Sequence, residues 1–143
     1  MIRIYSIAFR RDAVTFEERH AYARLLIEGD SGLNPAAEPE AFSPEPGLMR
    51  RILANNPKLM LVEHRMEPGW VGARHSHPHD QLVYILSGRL LFQHGLAEKL
   101  EVVAGDSFVV KGGVEHQAWA LEASHVLDVF TPTRQDYLPE AAQ

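Results

Sequence analysis

Cysteine is absent from this chain. That excludes disulfides and thiolate ligands, so a metal here has to be held by histidine, amide and carboxylate groups. Clustered positive charge is lacking too: Lys and Arg number 14 against 19 Asp and Glu, a formal net charge of -5. Phosphate backbones are bound by massed cations, so nucleic acid is not an expected partner. No apolar run approaches the ~20 residues that span a bilayer, and none of the chemistry points to a membrane partner. The opening Met-Ile-Arg-Ile-Tyr-Ser-Ile lacks the apolar core and small-residue cleavage site of a signal peptide. A cytoplasmic protein is the default expectation.

What the chain does have is 143 residues, 45% of them hydrophobic and 23% charged. This suits one globular domain with a real core. Residues 1–7 alternate weakly as a strand. Thr15-Phe-Glu-Glu18 reads as a capping box, the stripe Phe16, Tyr22, Leu25 and Leu26 follows, and Gly29 is a stop, which predicts a short helix over 16–28. Residues 30–47, with four prolines, predict a surface loop or arm. Residues 1–47 are therefore expected to be an N-terminal extension. From Leu48 the chain reads as short strands: 48–53, 58–66, 81–86, 89–94, 99–103, 107–110, 115–121 and 124–130. Turn clusters separate them, as in a β-sandwich or small barrel over 48–137, with 138–143 a tail.

Within that barrel, Gly69 to Gly88 stands apart because it holds His75, His77 and His79 on alternate residues, followed by Gln81. In an extended chain these side chains share one face, and converging imidazoles suit a divalent first-row metal. A solvated His-rich loop is the alternative, since Pro78 interrupts the run. A second stretch, Gly105 to Ala120, supplies His116.

Together the two stretches resemble the paired motifs of the cupin family. Gly69, His75-x-His77, Gln81 and Gly88 match the first motif, with Gln81 where most members carry glutamate. Gly105, Lys111-x-Gly113 and His116 match the second, with Lys111 replacing the usual proline and Ala120 the usual asparagine. The resemblance implies an all-β, double-stranded β-helix (jelly-roll-like) barrel, carrying here a short N-terminal helix and arm. It also implies a metal set of His75, His77, Gln81 and His116. Three neutral histidines with a neutral amide leave a divalent ion at +2, a stronger Lewis acid than the usual carboxylate-bearing site. The alternative is that Gln81 is no ligand and that His79 or water stands in. His79 otherwise belongs at the pocket rim or on the surface. His20, His64, His94 and His125 read as ordinary surface or half-buried residues. Trp70, Trp119 and Tyr84 read as core rather than pocket, and Arg74 falls on the face opposite the histidines.

Val-Leu-Asp-Val-Phe-Thr-Pro-Thr-Arg, residues 126–134, puts Asp128 and Phe130 on one strand face. An acid in an apolar strand is costly unless paired or facing a cavity, and an edge position facing water is the other option. With His-Ser-His-Pro-His-Asp-Gln, this run resembles the small cupins of pectin and alginate breakdown, which convert 4,5-unsaturated uronates to linear keto acids. That resemblance implies active-site roles for Asp128, Phe130 and Arg134 and a small anionic substrate. The alternatives are a metal-dependent dioxygenase and a non-catalytic sugar-binding cupin. Nickel, zinc, manganese, iron and copper all accept such ligands. The unpartnered N-terminal strand predicts a homodimer with crossed N-terminal segments.

Overall fold

The computed structural model describes residues 39–139. The strand expected over 1–7, its crossing between subunits and the helix over 16–28 lie outside the described residues, as does His20. Nine strands make up nearly all regular structure among them: β1 Phe42–Glu45, β2 Leu48–Asn56, β3 Leu59–Met66, β4 Asp80–Ser87, β5 Arg89–His94, β6 Leu100–Val103, β7 Ser107–Val110, β8 His116–Ala120 and β9 Ser124–Thr131. A 3-10 turn over Gln135–Tyr137 follows. The strands form a six-stranded sheet, β1-β2-β3-β9-β4-β7, and a three-stranded one, β6-β5-β8. The fold is the expected all-β barrel. Among the described residues no helix is long and apolar enough to cross a membrane.

The expected arm is corrected at its end. Phe-Ser-Pro-Glu, Phe42–Glu45, is a strand paired antiparallel with β2. Pro44 fits there because β1 is the sheet's edge, where a missing donor breaks no ladder. β2 also runs on to Asn56, past the turn expected at Ala-Asn-Asn-Pro, by way of a register shift between Ile52 and Ala54. Leu138, assigned to a tail, packs against Met60, Val62 and Phe130.

Alternation decides which side chains enter the barrel. β9 buries Val126, Asp128 and Phe130 while Leu127 and Val129 are only half-buried. β3 buries Met60, Val62, His64 and Met66. The core is one cluster around Leu48, Met66, Val83, Ile85, Leu90 and Val126, with Phe92 and Phe108 against it, and a second around Met60, Val62 and Phe130. Tyr84, expected in the core, is exposed, because Val83 and Ile85 take the inward positions beside it.

Candidate metal centre and its cavity

The two histidine stretches are laced together by their backbones. His75 and His116 exchange N–H···O bonds of 3.1 and 2.8 Å, and the Gly113 N–H donates to the His77 carbonyl at 2.8 Å. The Gly112 N–H donates to the Asp80 carboxylate at 2.8 Å. Any Cβ at Gly112 would collide with the Pro78 carbonyl, so glycine is required for the second motif to seat against the first. Arg74 turns outward, as expected, pairing with Glu115 and donating to the Gly95 carbonyl at 2.6 Å.

This lacing brings His75, His77 and His116 together. One ring nitrogen from each lies within 4.8 Å of the others, a group able to hold a metal ion. The Nδ1 atoms of His75, His77 and His116 lie 2.8, 2.9 and 2.9 Å from the carbonyls of Ala73, His79 and Val114. A carbonyl only accepts, so each Nδ1 carries the hydrogen and each Nε2 presents a lone pair, the tautomer a metal ligand needs. Burial pushes the His116 pKa down to about 4 from an ordinary 6.5. Burial and then the charge of Arg134 lower that of His77. Both imidazoles are neutral at neutral pH. His79 stays outside the group, half-buried, its ring 5.7 Å from that of His77.

Gln81 lies beside this group. Its Nε2 donates to Asp128 Oδ1 at 2.8 Å, which turns Oε1 toward His77 Nε2, 3.0 Å away. Both atoms then offer lone pairs. Two acceptors at that distance repel one another and are complementary to a cation, while the lowered pKa of His77 disfavours a proton in that role. Three imidazoles and an amide oxygen suit a borderline divalent transition metal. The residues present therefore fit the metal that a cupin barrel implies.

A cavity of about 280 Å³ opens beside this group, lined by His75, Gln81, His116, Asp128, Phe130 and Arg134 among others. Asp128 is 4% exposed and Phe130 1%. Asp128 is thus neither solvated nor at an edge: β9 lies between β3 and β4, and its two oxygens accept from Gln81 and from His64 Nδ1, the latter at 2.7 Å. Arg134 is 8% exposed. Its Nε and Nη2 bind Asp136 bidentately at 2.9 and 2.7 Å, and its buried Nη1 has no partner among the described residues.

Three cavity residues escape the sequence reading. His64, expected to be ordinary, is buried against Asp128, and Arg50 Nε donates to His64 Nε2 at 2.9 Å. Tyr137 packs under both arginines, whose guanidinium carbons lie 3.6 Å (Arg50) and 4.2 Å (Arg134) from its ring centroid. A signal exists for two of them: Arg50 and His64 interrupt the inward apolar series Leu48, Ile52 and Met60, Val62, Met66. Tyr137 follows no periodic segment. Trp70 packs against the core as expected, and it also borders the cavity and donates Nε1–H to Glu45 at 2.7 Å.

The cupin domain model matches residues 62–130. The pectin degradation protein KdgF of Dickeya dadantii is 33% identical over 95 residues, 64% of this chain and 84% of that protein. The beta-alanine degradation protein BauB of Pseudomonas aeruginosa is 32% identical over 92 residues, 63% of this chain and 97% of that protein. The solved structure of KdgF from Halomonas sp. superposes with a TM-score of 0.70 at 37% identity, covering 75% of this chain and all (100%) of that one. Barrel, laced histidine motifs and these matches agree: the chain belongs to the cupin family, and within it resembles the pectin-degradation members.

Proposed function

We propose that this cupin holds one divalent transition metal on His75, His77, Gln81 and His116 and isomerises a 4,5-unsaturated uronate to its linear keto acid. The observation that carries this reading is that a three-histidine group, a buried carboxylate and a buried arginine border one small cavity. Similarity to a pectin degradation protein, KdgF of Dickeya dadantii, and to the KdgF of Halomonas sp. supports the substrate class. The volume lies just below the ~300–1,000 Å³ common for small-molecule sites, which favours a monosaccharide over a polymer.

When bound, the metal supplies Lewis acidity at +2, because its donors are all neutral. The rest falls to the chain. Asp128 takes the proton of the anomeric hydroxyl as the bond from C1 to the ring oxygen breaks. An aldehyde forms at C1, and the electron pair passes to the ring oxygen, leaving an enolate across C5 and C4. Return of the proton from Asp128 to C4 gives the C5 ketone, so substrate and product are isomers and nothing else is consumed. Arg134 meets the substrate carboxylate. Asp136 occupies the Nε–Nη2 edge of its guanidinium, so the end carrying the unpartnered Nη1 is the part that binds. Phe130 walls the pocket beneath that guanidinium, 5.1 Å from its carbon.

The test is loss of the conjugated-alkene absorbance of an unsaturated uronate. Wild type should consume it only when metal-loaded. Asp128→Asn should keep its metal and lose ~10²–10⁴ in rate. Equal rates in the two proteins, or oxygen uptake in step with turnover, would replace this reading, the latter with a dioxygenase.

A further inference from the structure

Across the inner face of the six-stranded sheet runs a line of polar side chains, one from each of four neighbouring strands. Arg50 on β2 donates to His64 on β3, His64 donates to Asp128 on β9, and Gln81 on β4 donates to the other oxygen of Asp128. Arg50 stands directly opposite His64 in the ladder, whereas His64 is opposite Val126, so its ring reaches diagonally to Asp128. Leu48, Met66, Val83 and Val126 line the same cavity, and the Tyr137 ring stands edge-on to His64 at 6.3 Å. Polar groups in such a place are costly unless fully partnered. Here the partners are supplied in one direction only, toward the carboxylate.

We infer that His64 is a positioning residue for Asp128 and, through it, for the Gln81 amide, and that Arg50 anchors the His64 ring from its Nε2 side. The assignment rests on the proposed function for the role of Asp128, but its geometry is independent of the substrate. A guanidinium only donates, so the lone pair of His64 faces Arg50 on Nε2 and the hydrogen sits on Nδ1, against Asp128. With both ring nitrogens engaged, the imidazole cannot rotate without breaking two bonds. Asp128 is thereby gripped from β3 and β4. Its Oδ1 in turn orients the Gln81 amide so that Oε1 faces the histidine group. Without Arg50 the ring keeps only its bond to Asp128 and is free to swing about it, which would loosen the whole line.

The experiment uses the full chain loaded with zinc. Two-bond ¹H–¹⁵N correlation should show His64 as the Nδ1–H tautomer in wild type, and Arg50→Met should keep that tautomer while lowering zinc affinity in the same direction as His64→Leu. His64→Leu should lower zinc affinity, measured against a chromophoric chelator, by about 10-fold, the low end for an outer-sphere partner. On an unsaturated uronate it should lower kcat by roughly 10- to 100-fold with KM little changed. His64→Asn, whose Nδ2 donates from nearly the same place as Nδ1, should recover most of both. A merely structural histidine would lower thermal stability in both variants and leave zinc affinity and kcat of the folded protein alone, and that outcome overturns the inference. So does a stable His64→Asn protein as impaired as His64→Leu. If wild type consumes no uronate, the proposed function falls, while the tautomer and zinc measurements still decide the role of His64. Should His64→Leu fail to fold, His64→Asn and Arg50→Met carry the same decision.

Discussion

Replacing Gln81 by glutamate restores the residue usual at this position in cupins, yet it should damage this one, and a second substitution should repair it. Gln81 Nε2 stands 2.8 Å from Asp128 Oδ1. A carboxylate oxygen in its place faces Asp128 with like charge and no hydrogen between them. Two unit charges at that separation repel by roughly 6 kcal/mol at an effective dielectric of about 20. Taking up a proton relieves this, at a cost of about 4–5 kcal/mol for an ordinary carboxylate at pH 7.5. Gln81→Glu should therefore lose ~4 kcal/mol of stability in the metal-free protein. Asp128→Asn alone leaves one donor facing another, with a loss of ~1–3 kcal/mol.

Combined, the two substitutions complement each other. The amide oxygen introduced at position 128 would accept from His64 Nδ1, and its NH₂ would donate to the carboxylate introduced at position 81. Every hydrogen bond is then present again, with one direction reversed. The double variant should lie within ~1 kcal/mol of wild type, a coupling of at least ~3 kcal/mol between the positions. Urea denaturation of the four metal-free proteins at pH 7.5 measures this without reference to metal or substrate. Losses that simply add would refute the claim that Asp128 is the reason position 81 carries an amide. The double variant should stay inactive on uronate, because its carboxylate is no longer at position 128.

His77→Ala should lose nearly all metal from purified protein while His94→Ala, altered at an exposed residue, retains it; equal metal content in the two would remove His77 from the ligand set. In the metal-free protein, burial holds His116 at about 4 and His77 below its ordinary 6.5. From pH 6.5 downward the unfolded chain thus takes up protons that the folded one does not, and stability falls toward pH 4 by about 3 kcal/mol from His116 alone. A melting temperature flat across that window would contradict the neutral, buried state assigned to these rings. The chain should be a homodimer, with twice the monomer mass by light scattering at all working concentrations; a monomer mass throughout would reject it.

Much of the fold is legible in the sequence because its signals are short-ranged. Alternation in Val-Leu-Asp-Val-Phe assigns Asp128 and Phe130 to one face, and motif spacing alone associates His116 with His75 and His77, about 40 residues away in the paired-motif pattern. What stays hidden has other causes. β1 reads as loop because Pro44 counts against a strand, although an edge strand tolerates it. Arg50 and His64 belong to no motif, so their meaning lies only in the register that puts β2, β3 and β9 side by side. The family resemblance implies an active-site role for Arg134, but its partner in the fold is Asp136, two residues on, which leaves only one end of the guanidinium for a ligand. For β1, Arg50 and His64 the deciding term is pairing between strands, which local propensity does not encode.

The amide at position 81 acquires a reason from the same pairing. A cupin site of three histidines and a carboxylate carries one negative charge, spent on the metal. Here the three histidines and Gln81 are neutral, and the negative charge stands on the adjacent strand as Asp128, hydrogen-bonded to the amide that took the ligand's place. On the proposed reading, the total charge of the site is unchanged while its location differs. The metal keeps the full +2 that favours polarising a sugar oxygen, and the carboxylate is left with lone pairs for a proton. A proton-transferring isomerase needs both. Gln81 and Asp128 are then a single exchange made at two positions, which is why each substitution alone should cost stability that the pair restores.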